Sequence, residues 1–250
     1  MTAARSNRSI RHYVLAWAGV AVAILALAAI CLIVVPHEAQ RISSKPMEGR
    51  LTDRPAPVAT GDGQPEVFGI DWGYWQSINP DIVGWITIPK TPIDYPIVQA
   101  HPEDATHYLN YDAYDHYNIY GCAYVDAGCS MQSPNVIVFA HNMGSGEDAM
   151  FTTLTDYLDP AYLAEHKQVI IQTPEGTYDL KARAAESVSP YGFEKRTAFS
   201  SVEGLREFYL ELWGGADSRC AEPNADEVSQ LFTLITCDKG GSARAVVYAG

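Results

Sequence analysis

Basic residues are scarce in this chain of 250: Lys and Arg number 17 against 30 Asp and Glu, a formal net charge of −13. The first 35 residues hold three of the basic groups (Arg5, Arg8, Arg11) and no acid, so residues 36–250 carry 14 basic and 30 acidic groups, a net of −16. A body that acidic is a poor binder of nucleic acid or of anionic lipid head groups. Cysteine is scarce too, with five. There is no CxxC and no Cys/His spacing of the kind that holds zinc. So few thiols do not build a disulfide framework, although one pair among the four outer cysteines (Cys122, Cys129, Cys220, Cys237) stays open. No internal repeat is present. Helical periodicity is rare.

Charge is missing altogether from Val14 to Val35, a run of 22 residues. A helix of that length spans a hydrocarbon core of roughly 30 Å. Arg5, Arg8, Arg11 and His12 precede it and Pro36-His37-Glu38 follows, so the charge bias puts residues 1–13 in the cytoplasm and residues 36–250 outside. A cleaved signal peptide would have a shorter apolar core and a small-x-small site, which Ile30-Cys31-Leu32-Ile33-Val34-Val35 does not offer. The expectation is a single-pass cell-membrane protein with an extracellular domain. Residues 36–68 read as a stalk, with Pro46, Pro55, Pro57, Pro65, Gly49, Gly61 and Gly63 and few large apolar groups. The folded domain is expected over 69–250.

What fills that domain is a series of short β-branched runs bounded by Gly, Pro, Asn or Asp: 82–88, 93–98, 121–126, 136–140, 169–172, 177–184, 231–236 and 245–248. Many short strands with few helices predict an all-β barrel or sandwich with added helices. Asp71 to Ile78 reads as a short helix with Trp72, Trp75 and Ile78 on one face. A longer helix is predicted over roughly 201–213. There Ser200 and Glu203 fit a capping box, and Val202, Leu205, Phe208, Tyr209, Leu212 and Trp213 recur at helical spacing before Gly214-Gly215. It lies in a connection of about 45 residues, a length that in a compact domain is usually functional.

Three chemically capable side chains fall at strand ends beside Gly-rich turns. Cys237 ends the run Phe232-Thr233-Leu234-Ile235-Thr236. The turn Asp238-Lys239-Gly240-Gly241-Ser242 then brings Arg244 back alongside it, and His141 follows the run 135–140. Strand ends hold side chains rigidly while leaving them open to solvent. Taken singly, each has a plainer reading: a small buried hydrophobe for Cys237, a hydrogen-bonded turn residue for His141, a surface charge for Arg244.

Together these residues resemble the sortase family. Thr233-Leu234-Ile235-Thr236-Cys237 is similar to its TLxTC signature, with an Arg seven residues on at Arg244. Val138-Phe139-Ala140-His141-Asn142-Met143 resembles the segment around its catalytic His, and the HNM triplet is typical of class B. The stretches Asp81–Pro89, Tyr95–Gln99 and Tyr108-Leu109-Asn110 resemble class B as well, as does the helix before the Cys strand, and the likeness covers about 69–250. Position 140 is Ala where Gly is common. Position 235 is Ile where class B often has a substrate-facing Ser, which leaves room for a different sorting motif. No class C lid motif occurs in 36–70.

The resemblance implies an eight-stranded β-barrel with an N-terminal helix and a helix in the connection before the Cys strand. It implies a cysteine transpeptidase with no cofactor and no metal. Its substrates would be secreted proteins bearing an LPxTG- or NPxTG/N-like C-terminal sorting signal. Cys237 would attack after the motif's Thr to form a thioester, His141 would act as acid and base, and Arg244 would hold the oxyanion. The acceptor would be a peptidoglycan-precursor amine, or a pilin Lys in a polymerising enzyme. A catalytically silent, membrane-tethered domain that binds the cell wall is the alternative from another class.

Overall fold

The structure, a computed structural model, describes residues 57–58, 67–144, 146–191, 193–238 and 240–250. The uncharged run 14–35, the tail before it and most of the expected stalk lie outside the described residues. Within 36–68, Pro57–Val58 pairs antiparallel with Val67–Phe68, regular structure that the Pro- and Gly-rich composition did not suggest. Among the described residues no helix is long and apolar enough to cross a membrane.

Eight strands make the barrel: β1 Ile82–Thr87, β2 Asp94–Gln99, β3 Ala123–Val125, β4 Asn135–Phe139, β5 Gln168–Thr173, β6 Gly176–Val188, β7 Leu231–Cys237 and β8 Arg244–Ala249. Their order is β8-β7-β4-β3-β2-β1-β5-β6, and a further β8–β6 pairing closes the ring. All eight runs read from the sequence are strands, within a few residues at each end. Two pairings are parallel, β2 with β3 and β7 with β4. Closure removes the exposed edges that an open sheet would leave.

Strand β7 occupies the heart of the sheet, and all of Leu231 to Thr236 is buried. Alternation sets Phe232, Leu234 and Thr236 on one face and Thr233, Ile235 and Cys237 on the other. The second face is covered by the β6–β7 connection. Thr233 Oγ1 donates to Asn135 Oδ1 at 2.7 Å, and Asn135 Nδ2 donates to the Arg196 carbonyl at 2.9 Å. Ile235 is wholly buried. Its side chain packs in the core.

Among the described residues three α-helices lie outside the barrel: α1 Trp72–Ile78, α2 Pro160–Glu165 and α3 Val202–Gly215. Asp71 caps α1, accepting from the Tyr74 N–H at 2.9 Å, and Trp75 meets Trp85 edge to face at 5.4 Å. Helix α3 buries Leu205, Phe208 and Tyr209 of the apolar stripe, half-buries Leu212 and Trp213 against the core, and leaves Val202 exposed. Its cap is Ser201, which accepts from the Gly204 N–H at 3.2 Å. The expected cap, Ser200, is one residue off; a bond from its own backbone N–H, and after it one from Ser201, holds the Glu203 carboxyl below the usual range. At the other end Arg219 Nη1 donates to the Trp213 and Gly214 carbonyls at 3.0 and 2.7 Å, satisfying carbonyls that the helix leaves open. Helix α2 was not foreseen: six residues are too few for a period, though Asp159-Pro160 is a good start signal.

Candidate active site

Cys237 and Arg244 are direct partners across the β7–β8 hairpin. One step further out the Asp238 N–H donates to the Ala243 carbonyl at 2.9 Å. The Cys237–Arg244 pair therefore falls at a non-hydrogen-bonded position, where facing side chains come closest. Cys237 is exposed and is a free thiol, as are Cys122, Cys129 and Cys220. The Asp238 carboxylate fastens the turn. It accepts from Ser242 Oγ at 2.9 Å, and turn N–H groups, Ala243 first, hold its carboxyl below the usual range.

His141 follows β4 at the same end of the barrel. The Ala140 N–H donates to the Ile235 carbonyl at 3.2 Å, and Thr236 Oγ1 donates to the Ala140 carbonyl at 2.9 Å. The tie reaches Cys237 itself through Asn142, whose Nδ2 donates to the Cys237 carbonyl at 2.9 Å while its Oδ1 accepts from the Gly144 N–H at 2.9 Å. The three residues singled out in the sequence thus stand at the ends of three adjacent strands, β4, β7 and β8.

The half-buried His141 ring is held from a fourth direction. Its Nε2 lies 2.8 Å from the Leu109 carbonyl oxygen. A carbonyl only accepts, so Nε2 carries the proton and Nδ1 of the neutral ring keeps its lone pair. The His141 backbone is pinned by the Phe151 N–H at 2.9 Å. Leu109 is itself fixed through its neighbour: Tyr108 is buried, donates to Asp81 Oδ2 at 2.7 Å and accepts from Asn79 Nδ2 at 3.1 Å. Gly121 closes over this turn with φ of 58°, and a Cβ there would stand 2.4 Å from the Tyr108 carbonyl oxygen and 2.8 Å from that of Leu109. Sequence reasoning gave no role to Leu109, Gly121 or Asn142. The HNM triplet contained Asn142, but the backbone carbonyl of Leu109 has no side-chain signature.

Beside the thiol lies an aromatic shelf. Tyr124 stacks on Phe139 at 5.6 Å, and the Arg244 guanidinium stands 5.8 Å from the Phe139 ring centre. Lys195, from the β6–β7 connection, lies 5.0 Å from the same ring and pairs with Asp126 at 2.6 Å. Burial first, then the Asp126 charge, pushes the Tyr124 phenol up to about 12, with Arg244 pulling the other way. Tyr124 therefore stays a neutral donor at physiological pH. Among the described residues no group of three or more His, Cys, Asp or Glu side chains could hold a metal ion. A thiol, an imidazole with a lone pair and a planar cation, on one solvent-open rim, suit acyl transfer by a nucleophile with a paired base.

The family model described as "Sortase domain" matches residues 86–250. Sortase B of Staphylococcus aureus and sortase B of Listeria monocytogenes are each 27% identical to this chain over 165 residues, 65% of its length. The match spans 66% and 65% of those two proteins' own lengths, just under two thirds. Staphylococcus aureus sortase B complexed with MTSET superposes with a TM-score of 0.62 at 26% identity, covering 71% of this chain and 75% of that one. The same enzyme solved as a substrate complex gives 0.62 at 26% identity, covering 71% and 82%. A Bacillus anthracis protein described as similar to sortase B gives 0.64 at 28% identity, covering 85% of this chain and 92% of that one. The family match runs from β1 to the last strand and the likeness to sortase B extends from sequence to fold, so the chain belongs to the sortase family, in class B.

Proposed function

We propose that the chain is a membrane-anchored cysteine transpeptidase that cleaves the C-terminal sorting signal of secreted proteins and passes the acyl group to an amine. The observation that carries this is the junction of β4, β7 and β8, where an exposed free thiol faces Arg244 across a hairpin and ends a strand beside the one that leads into His141. Kinship with sortase B, one of whose members has been solved with a substrate, agrees.

The Cys237 thiolate adds to the carbonyl carbon of the motif's Thr, and the carbonyl electron pair moves onto oxygen. A free thiol has a pKa near ~8.5, so only a few per cent is thiolate at neutral pH. Pairing with His141 supplies the active fraction as thiolate and imidazolium. Arg244 holds the oxyanion with a planar fork of N–H donors. The oxyanion collapses, the C–N bond breaks, and imidazolium gives its proton to the leaving amine. Cys237 now carries a thioester. An incoming amine loses its proton to His141, attacks the thioester and leaves as an amide, restoring the thiolate. The uncharged run 14–35 would hold the enzyme at the membrane with its catalytic domain outside.

The test is trapping. Incubated with a sorting-motif peptide, the wild-type chain should form an adduct on Cys237 that hydroxylamine releases as the peptide hydroxamate. No adduct with any secreted protein or motif peptide, while Cys237 still alkylates, would mean a silent binding domain.

A further inference from the structure

Positive charge is concentrated in a place the sorting reaction does not use. Lys167, Lys181, Arg183 and Arg219 line one cavity of about 390 Å³, four of the 17 basic residues of a chain whose net charge is −13. No acidic side chain lines it. It opens between α2, β6 and the segment 219–224. Arg183 lies five residues from Val188, the partner of Arg244, which at about 3.3 Å per residue sets the cavity roughly 16 Å from the catalytic rim.

The cations are held apart and aimed from different elements. The Arg183 side chain is only 4% exposed and is fixed by Glu227 at 2.9 Å and by the Gly250 and Pro223 carbonyls at 2.6 and 3.3 Å. Lys181 shares Glu227 at 3.1 Å. One carboxylate thus answers two of the four cations. Arg219 spends Nη1 on the end of α3 and lies over Trp213, so its other N–H donors are uncommitted to that helix. Lys167 Nζ has no hydrogen bond or ion pair among the described residues. Apart from Asn224 and Cys220, the rest of the wall is apolar, with Leu163, Ala164 and Ala221. The half-exposed Cys220 thiol also lines it, donating to the Glu222 carbonyl at 2.9 Å.

We propose that this cavity binds an organic phosphate, with the phosphoryl oxygens on Lys167, Lys181 and Arg219 and the carbon skeleton on the apolar wall. Cations converging from separate elements fit a tetrahedral dianion better than a planar carboxylate, and both Arg and Lys are phosphate ligands. The volume lies within the range of small-molecule sites, about 300–1,000 Å³. A soluble phosphate ester and a phospholipid head group share this chemistry.

Cys220 supplies a local reporter that is independent of the sorting reaction. In the Cys237→Ala chain, alkylation of Cys220 by neutral iodoacetamide is followed by peptide mass, with glycerol 3-phosphate, citrate or chloride added at matched ionic strength. Glycerol 3-phosphate at ten times its Kd should slow alkylation about tenfold by mass action. Lys167→Glu should abolish the protection, Lys181→Glu should weaken it, and Lys90→Glu, a charge change elsewhere, should leave it intact. Phosphatidylglycerol vesicles that protect where the soluble ester does not would make the ligand a lipid head group. Equal protection by citrate or chloride, protection that survives in Lys167→Glu, or no protection by either phosphate source would overturn the proposal.

Discussion

Arg244 faces the thiol from a paired strand and rests beside the Phe139 ring, so its position is set by backbone register and its reach by packing. If it holds the oxyanion, geometry matters more than charge. Arg244→Lys should lower kcat at least roughly tenfold and Arg244→Ala roughly 10²-fold or more, because an ammonium is a mobile point charge and a lost oxyanion donor costs about 10²–10³. Cys237 should still alkylate in both variants. Near-normal kcat for Arg244→Ala would leave the oxyanion to backbone donors alone. Cys237→Ala should abolish turnover with the fold intact, and a dead Cys220→Ala in its place would move the nucleophile elsewhere. Asn142 poses a different question, since its amide joins the strand ends that carry His141 and Cys237. Its bond to an exposed carbonyl contributes about 1 kcal/mol to stability, whereas displacing a reacting group by about 1 Å can cost 10²-fold in rate. Asn142→Ala should therefore cut kcat about ten- to hundredfold and move the melting temperature little. Equal losses in stability and rate would assign Asn142 to the fold alone.

Elements differ in how well the sequence announces them. β7 was legible because a strand buried on both faces reads as a continuous apolar run, and α3 because 14 residues give the apolar stripe room to repeat. The cap of α3 slipped by one residue because Ser200 and Ser201 offer the same hydroxyl, and only the path of the backbone decides which one meets the Gly204 N–H. Ser201→Ala should accordingly cost about 0.5–2 kcal/mol and Ser200→Ala almost nothing, a difference that urea melts resolve. The 100–122 segment shows the limit. Its task, presenting the Leu109 carbonyl to His141, depends on Tyr108 anchored to Asp81 and Asn79 and on Gly121 lying against the turn, and none of these contacts has a period. Gly121→Ala forces a Cβ into two backbone oxygens at a left-handed φ, so the turn must move. We expect kcat to fall more than Cys237 alkylation does, because His141 loses its anchor while the thiol stays in place. Unchanged kcat would show that the Leu109 contact is dispensable.

For the whole molecule, the strand order is what turns distant sequence segments into one site. His141 and Cys237 are 96 residues apart, yet parallel pairing of β4 with β7 makes their strand ends neighbours. The order of motifs can suggest such a meeting, but only the strand order explains it. The acidity of the molecule should be visible in its response to pH. At pH 7 the net charge of −13 is a source of self-repulsion, which proton uptake relieves. His101 adds to this. Its bond to Asp81 raises its pKa above the usual 6.5, so its contribution is fully present below that value and is lost as pH rises through the raised one. Below pH 5 the sign reverses. Arg183 and Lys181 hold the Glu227 carboxyl below the usual range, and the turn does the same for Asp238. Their contributions are present above the unfolded pKa values and fade as pH falls through the folded ones, and loss of the Glu227 charge leaves the buried Arg183 without its counter-ion. The melting temperature should rise as pH falls from about 8 to 6 and drop below about 4. Glu227→Gln should remove part of the acid limb, and His101→Gln should flatten the alkaline one. Thermal melts at constant ionic strength decide it: a melting temperature that climbs steadily from pH 5 to 8 would mean that neither self-repulsion nor the His101–Asp81 pair governs the stability of this domain.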